Sequence, residues 1–210
     1  MDNEKYYLEY LKRTDRFPQS IYHKAKHDMV RRMMDLVPPG SFVLDAGCGI
    51  GNISGRYGAR VSVIGMDEQF SAIRYCHQFY CGKYIQANLY DIPFADHTFD
   101  LVLFLDVIEH LTQPVLVLKE LARVLKPGAT ILICTINYAN PLWFILENTW
   151  HRFLGSSCKP YSKEVHPTRY NTRILRNHCE GLFEEIRLQK RVMKMELFYV
   201  GKNKKLASCP

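Results

Sequence analysis

The sequence predicts an α/β fold in which helices cover both faces of a parallel β-sheet. Between residues 41 and 136, five short apolar segments alternate with segments of helical periodicity. These apolar segments are hydrophobic along their whole length, which indicates strands that are buried on both faces. A glycine-rich loop follows the first of them, and open α/β sheets bind ligands at that end of their strands.

The N-terminal region is predicted to be helical. Residues 5–13 have helical character, and a second helix follows in which apolar residues recur every four positions. Its stripe consists of Ile21, Ala25, Met29, Met33 and Val37. Three consecutive residues that break helices, Pro38-Pro39-Gly40, end it. Residues 1–39 are therefore predicted to form a helical cap.

The following residues, 40–136, carry the predicted strands. In chain order these are SFVLDAG, RVSVIGMD, KYIQAN, FDLVLFLD and ATILICTI. Helices are predicted at 52–57, at 70–80 and over PVLVLKELARVL, where Pro114 suits the first helical turn. The sequence KPG is predicted to end the last of these helices.

The C-terminal part does not continue the regular alternation of strands and helices. Residues 137–170 form a long, irregular and aromatic connection, which is typical of a lid or a binding element. Asn171 is predicted to cap a helix that runs to residue 180 and is closed by Gly181. Two strand-like runs, FEEIRLQK and MKMELFYVG, follow in residues 171–210.

The composition excludes several classes of protein. A chain of 210 residues that is 47% hydrophobic can bury one substantial core, so a single domain is expected. No apolar run approaches the roughly 18 residues of a membrane span, and the polar start MDNEKYYLEYLKR argues against a signal peptide. Seven cysteines without a C-x-x-C pair suggest neither a disulfide framework nor a zinc knuckle. Reduced thiols and a cytoplasmic location are therefore predicted.

The net charge of +7 is concentrated near the C-terminus, because residues 151–210 carry 13 basic and 5 acidic side chains. A solvated basic face explains this excess without any function. The alternative is attraction to an anionic partner such as nucleic acid, phospholipid or an acidic metabolite.

The glycine-rich loop DAGCGIG spans residues 45–51. Gly47 and Gly49 allow a tight turn and a close approach to a ligand, because neither carries a Cβ atom. Asp67 ends the second strand, where a carboxylate can accept hydrogen bonds from both hydroxyls of a ribose. The loop lacks the G-x-G-x-x-G spacing of dinucleotide sites, and no G-x-x-x-x-G-K-[ST] loop occurs. The site therefore suits a ribonucleoside without a pyrophosphate.

Four motifs in order resemble those of the class I S-adenosylmethionine-dependent methyltransferases, especially the ubiquinone/menaquinone-biosynthesis type. They are VLDAGCGIG, GMD, YDIPFADHTFDLVLFLDVIEHL and LARVLKPGATILICT, within about residues 40–136. The resemblance implies a Rossmann-like sandwich with a mostly parallel seven-stranded sheet whose last strand is antiparallel. It also implies S-adenosylmethionine as the cofactor and S-adenosylhomocysteine as the product.

The same resemblance implies roles for individual positions. The cofactor-binding positions would be Asp45, Gly47, Cys48, Gly49, Gly51, Asp67, Glu68, Asn88, Leu89 and Asp106. The first five would lie under the methionine part, Asp67 would bind the ribose and Glu68 would flank the adenine. Asn88 stands where the family commonly has Asp, with the Leu89 backbone beside it. Asp106 would lie by the methionine end.

The D-x-x-E-H sequence of Asp106, Glu109 and His110 has three interpretations. Asp106 and Glu109 could form a capping box at a helix start. His110, with Glu109 as a second catalytic candidate, could act as a general base, because histidine side chains titrate near neutral pH, or its ring could simply pack against the predicted lid. The sequence is also similar to the E-x-x-E-H metal site of 2′-O-methyltransferases that act on small RNAs, with His166 as a further ligand or a substrate contact. No metal is expected.

The sequence thus predicts a methyltransferase for a small-molecule or lipid-like acceptor, with transfer to oxygen. One alternative is RNA methylation, although no appended RNA-binding module is present. Another is a protein that binds S-adenosylmethionine without catalysis. The segment PLWFILENTWHRFLG pairs apolar with basic residues and could contact a membrane surface without spanning it. No feature indicates the oligomeric state.

Overall fold

A computed structural model describes residues 19–57, 60–145 and 165–204. The helices are α1 Gln19–Leu36, α2 Phe70–Phe79, α3 Pro114–Val124, α4 Pro141–Ile145 and α5 Thr172–Cys179. The strands are β1 Phe42–Ala46, β2 Ser62–Asp67, β3 Lys83–Gln86, β4 Phe99–Leu105, β5 Leu125–Ile136, β6 Phe183–Arg191 and β7 Glu196–Asn203. Single turns of 3-10 helix lie at Ser54–Arg56 and Ile108–His110.

These strands form one sheet in the order β3-β2-β1-β4-β5-β7-β6. The pairings among β1 to β5 are parallel, whereas β7 runs antiparallel to both β5 and β6. The mostly parallel seven-stranded sheet with an antiparallel last strand is therefore confirmed. Because β1 and β4 are neighbours while β2 and β3 lie on the other side of β1, the strand order reverses between β1 and β4, where such sheets bind ligands.

The two faces of the sheet pack against different helices. Leu44 belongs to the cluster that includes Val117 and Leu121 of α3, whereas its neighbour Val43 packs with Met29 and other α1 residues. Successive strand residues point to opposite faces. The continuously apolar strands are thus explained by burial on both faces.

Most predicted boundaries agree with the structure. The helix α1 ends at Leu36, just before Pro38, and Asn171 caps α5 by accepting hydrogen bonds from the N–H groups of Arg173 and Ile174. Gly181 follows with φ +84°. The predicted helix at 5–13 lies outside the described residues.

Two predicted segments differ. The helix expected at 52–57 is a single 3-10 turn at Ser54–Arg56. Gly55 lies in this turn, where any Cβ would overlap the ring of Tyr80. The sequence KPG, expected to follow α3 as a break, lies inside β5, because that strand starts at Leu125 directly after the helix. No helix among the described residues is long and apolar enough to cross a membrane.

Candidate cofactor site

The loop after β1 is built around glycines in the left-handed region. Gly47, Gly49 and Gly51 have φ values of +77°, +51° and +73°. The N–H groups of Gly47 and Cys48 both donate to the carbonyl oxygen of Met66, at 2.7 and 3.0 Å, which fastens the loop to β2. The loop therefore lies between the carboxyl ends of β1 and β2, as the sequence predicted.

Asp45 lies under this loop with an unsatisfied carboxylate oxygen. Its side chain is buried, and Oδ2 has no hydrogen-bond partner. Burial raises the pKa of Asp45 to about 6, and the nearby Asp67 charge contributes to the rise. A buried acceptor without a donor is costly, so this position suits a ligand that brings an N–H group.

Asp67, at the end of β2, is oriented by the loop itself. Its Oδ2 accepts a hydrogen bond from the Gly49 N–H at 2.8 Å, and its Oδ1 accepts one from the Gln69 N–H at 2.9 Å. Each carboxylate oxygen can accept more than one hydrogen bond. Asp67 is therefore held in place and still has acceptor capacity for ribose hydroxyls.

The positions expected around the adenine lie at the adjacent edge of the sheet. Glu68 is exposed, and its carbonyl oxygen accepts a hydrogen bond from the Gln86 side chain at 3.0 Å. Asn88 is exposed and uses its Oδ1 to accept the Tyr90 N–H at 2.9 Å, while Leu89 is half-buried. The amide of Asn88 thus stabilises the turn after β3.

Asp106 does not cap a helix, so the capping-box interpretation is wrong. It adopts a left-handed backbone conformation with φ +55°, and the 3-10 turn begins only at Ile108 without any side-chain cap. Its Oδ2 accepts a hydrogen bond from the ammonium group of Lys26 on α1. Because the turn starts two residues later than expected, Asp106 and Glu109 cannot satisfy each other's backbone.

The Glu109 side chain is buried in the core. It is only 1% exposed, and its Oε2 accepts a hydrogen bond from the Thr135 hydroxyl at 2.9 Å. Burial, with the Asp106 charge as the next cause, raises the pKa of Glu109 to about 8. Because it is buried, Glu109 is placed to affect the electrostatics of the protein interior rather than to touch a substrate.

His110 is exposed and packs beside His166 in the region that follows β4 and β5. Its ring packs edge-on against His166 with 4.5 Å between centroids, and its Nδ1 lies 3.0 Å from the carbonyl oxygen of Val165. His166 is buried and hydrogen-bonds through Nδ1 to the Tyr138 hydroxyl. Burial, followed by the neighbouring His110, lowers the pKa of His166 to about 4, so His166 is neutral at physiological pH.

The D-x-x-E-H residues do not converge on one point, because Glu109 turns into the core. Among the described residues, the group whose potential metal-ligating atoms lie within 4.8 Å of one another is Asp106, Cys134 and Glu196. The Lys26 ammonium contacts Asp106 and lies 3.5 Å from Glu196 Oε1. The Lys26 side chain therefore already places a positive charge beside these two carboxylates.

Sequence reasoning missed Lys26, Glu196 and Thr135, whereas Tyr138 lies within the predicted lid, residues 137–170. A signal for Lys26 existed, since it lies four residues after Tyr22 and four before Val30 on the buried side of α1. A lysine on an apolar helix face needs a buried partner. The sequence offers no way to identify that partner, because Glu196 is 170 positions away.

The strand order, the glycine loop and the carboxylates at the ends of β1 and β2 define the Rossmann-like fold of the class I methyltransferases. Residues 44–133 match the family model described as a methyltransferase domain. This match implies S-adenosylmethionine as the cofactor. The site residues fit it, since the methionine ammonium would supply a donor to Asp45 Oδ2, which has no hydrogen-bond partner, and Asp67 has capacity for the ribose.

Two curated relatives differ in substrate. Over 114 residues, the chain is 36% identical to the ubiquinone biosynthesis O-methyltransferase of Hahella chejuensis, covering 51% of this chain and 48% of that protein. Over 107 residues, it is 31% identical to the Homo sapiens protein named "Probable tRNA methyltransferase 9B", covering 50% and 23% respectively. The chain thus spans about half or less of the length of these relatives.

A solved structure shows the same fold. A chain in the complex between the Haloferax volcanii Trm112 methyltransferase activator and a methyltransferase superposes with a TM-score of 0.70 at 17% identity. The match covers 92% of this chain and 93% of that chain. The likeness therefore extends beyond the family match to most of the sheet and its helices.

Proposed function

We propose that this chain transfers the methyl group of S-adenosylmethionine to an oxygen of a small-molecule or lipid-like acceptor. The observation that carries the proposal is the buried Asp45 carboxylate, whose Oδ2 lacks a donor beneath a loop of left-handed glycines. The 36% identity to a ubiquinone biosynthesis O-methyltransferase supports oxygen as the acceptor atom.

A cytoplasmic location is also proposed, and the five free cysteines among the described residues support it.

The bound cofactor supplies an already activated methyl group, so the protein's tasks are alignment and exclusion of water. In the proposed arrangement, Asp45 would hold the methionine part and Asp67 the ribose of the cofactor against the loop. Asp106 lies at the carboxyl end of β4, beside the methionine part. Residues 137–170 and the N-terminal segment are proposed as the lid, of which residues 1–18 and 146–164 lie outside the described residues.

His110 is proposed as the general base that takes the acceptor's hydroxyl proton. A carbonyl oxygen can only accept, so the contact with the Val165 oxygen requires His110 Nδ1 to carry the hydrogen. In the neutral ring, Nε2 is then the nitrogen with the basic lone pair. A base at the exposed end of β4 would stand near the transferred methyl group.

Replacement of Asp67 tests the cofactor site. Asp67→Ala is expected to weaken binding of S-adenosylhomocysteine about tenfold or more in isothermal titration calorimetry, because two charge-assisted hydrogen bonds to the ribose are lost. Asp35→Ala is the matched control. Asp35 is an exposed aspartate, and its Oδ1 lies 3.4 Å from Nη1 of Arg60, a residue that precedes β2. Equal affinity in the wild type and Asp67→Ala would refute the cofactor assignment.

Replacement of His110 tests the base. With catechol as a probe acceptor, His110→Ala is expected to lower kcat about a hundredfold while binding of S-adenosylhomocysteine stays unchanged. His97→Ala is the control, because His97 is also exposed but precedes β4 and lies 3.4 Å from the Leu125 carbonyl oxygen. A His110→Ala enzyme as fast as the wild type would exclude His110 as the base.

RNA methylation is the second candidate, favoured by the similarity to the human tRNA methyltransferase and by the basic residues 151–210. Unfractionated tRNA is the probe for this function. Activity on tRNA that falls steeply with salt, as expected when phosphate contacts carry the affinity, would favour this candidate. Methylation of catechol without methylation of tRNA would favour the small-molecule function. Binding of S-adenosylmethionine without turnover of either probe would indicate a binding protein.

A further inference from the structure

A lysine is buried in the middle of α1, against the carboxyl ends of the central strands. Lys26 is 8% exposed, and its ammonium group contacts Asp106 Oδ2 and lies 3.5 Å from Glu196 Oε1. Removing an ammonium group from water is costly unless it is paired. Burial acts to lower the pKa of Lys26, but Asp106 and Glu196 reverse this, so that the pKa is raised and the lysine stays charged.

Asp106 meets Lys26 from the ligand side of the site. The side chain of Asp106 is 36% exposed, whereas that of Lys26 is 10% exposed. The ammonium group therefore holds one carboxylate oxygen from the interior, and the carboxylate remains accessible from solvent. Asp106 also has a strained φ of +55°, and its N–H donates to the Cys134 carbonyl oxygen at 2.9 Å. A non-glycine residue persists in this conformation only where its surroundings hold it there.

Glu196 is the interior partner of the same lysine. It is 4% exposed, and its Oε2 has no hydrogen-bond partner. One turn before Lys26, the Tyr22 hydroxyl lies 2.9 Å from Met195 Sδ, beside Glu196. Helix α1 is thus attached at two adjacent turns to the start of β7, and through Lys26 it also reaches the end of β4.

We infer that Lys26 is a positioning residue, which orients the Asp106 carboxylate toward the cofactor and so couples helix α1 to cofactor binding. The inference rests on the proposed function. Lys26 is the cation that Asp106 and Glu196 share. Without Lys26, the accessible Asp106 carboxylate would lose the charge-assisted hydrogen bond that fixes one of its oxygens, so it would no longer be held in one orientation.

A double-mutant cycle on S-adenosylhomocysteine affinity tests the coupling. Lys26→Met and Asp106→Asn are each expected to weaken binding about tenfold, and the double variant no more than Asp106→Asn alone, because Lys26 acts through Asp106. Lys26→Arg keeps the charge and is expected to regain most of the lost affinity. Losses that multiply in the double variant, or a Lys26→Met protein that binds like the wild type, would overturn the inference.

Glu196→Gln separates positioning from general support of the fold. It removes the other carboxylate from the same ammonium group but leaves the Lys26–Asp106 contact, so affinity is expected to stay within about twofold of the wild type. If circular dichroism shows that Lys26→Met does not fold, the S-adenosylhomocysteine affinities of Asp106→Asn and Glu196→Gln still test the inference. Equal losses in these two variants would contradict the inference, and a loss in Asp106→Asn alone would support it.

The same binding measurements distinguish a failure of this inference from a failure of the proposed function. A wild-type protein that binds neither S-adenosylmethionine nor S-adenosylhomocysteine would overturn both. A wild-type protein that binds, together with a Lys26→Met variant that binds equally well, would overturn the role of Lys26 alone.

Discussion

At the scale of single residues, three neighbours in one short segment take three different directions. Asp106 contacts the Lys26 ammonium, Glu109 accepts a hydrogen bond from the Thr135 hydroxyl in the core, and the exposed His110 ring packs against the buried His166. The positive φ of Asp106 delays the following turn by two residues. Helical spacing would have placed all three side chains on one face, so the backbone conformation of Asp106 decides the chemistry of the segment.

Gly47 illustrates how a single Cβ atom would matter. It has φ +77°, and a Cβ there would overlap the Val107 side chain. Gly47→Ala is therefore expected to lower the free energy of unfolding by about 2 kcal/mol more than Gly40→Ala, because overpacking adds to the strain that both share. Gly40 is the matched control, since its φ is +82° and nothing lies within 4 Å of its added Cβ.

Urea unfolding measures both variants. Adding Val107→Ala to Gly47→Ala is expected to regain part of the stability, because it removes the methyl groups that the new Cβ meets. If Gly47→Ala and Gly40→Ala were equally stable, close packing between the loop and Val107 would not be the reason for glycine at this position.

At the scale of elements, the connection after β5 stabilises the turn between β6 and β7. Three consecutive residues of that turn, Val192, Met193 and Lys194, have positive φ values of 50°, 53° and 66°. The side-chain amides of Asn137 and Asn140 donate to the Lys194 and Met193 carbonyl oxygens, each at 2.7 Å. Hydrogen bonds from residues that are distant in sequence thus stabilise a backbone conformation that non-glycine residues rarely adopt.

Local signals predicted other elements well. The repeated apolar residues and the Pro-Pro-Gly stop predicted α1, and the Asn171 cap predicted α5. Both signals act within a few residues, so no tertiary information is needed. The helix expected at 52–57 is instead a single turn, and Gly55 in it lies so close to Tyr80 that a Cβ would overlap the ring.

At the scale of the whole molecule, buried acids make stability depend on pH. Burial is the main cause that raises the pKa values of Glu109 and Glu196 to about 8. Between their ordinary values and about 8, the folded protein binds protons that the unfolded chain has released, so stability falls as pH rises through this range. His166, whose pKa is lowered to about 4, acts in the opposite direction but only below its ordinary value of 6.5.

The free energy of unfolding is therefore expected to decline between pH 6.5 and 8, where His166 no longer contributes. Glu109→Gln is expected to make this decline shallower, because the amide keeps an oxygen for the Thr135 hydroxyl but cannot ionise. Glu184→Gln, at an exposed position of β6, is the control. Urea titrations at several pH values measure the slope, and an unchanged slope in Glu109→Gln would contradict the assignment.

The sequence by itself determined the α/β class, the order of its elements, the glycine loop and the acidic residues at the carboxyl ends of β1 and β2. These features follow from periodicity, from backbone freedom at glycine and from the parallel strands that bring their carboxyl ends together. Only the tertiary structure paired Lys26 with Asp106 and Glu196, and turned Glu109 toward Thr135. The physical reason is that a buried charge is stabilised by whichever partner the packed helix and strands bring within a few ångströms, however distant that partner is in sequence.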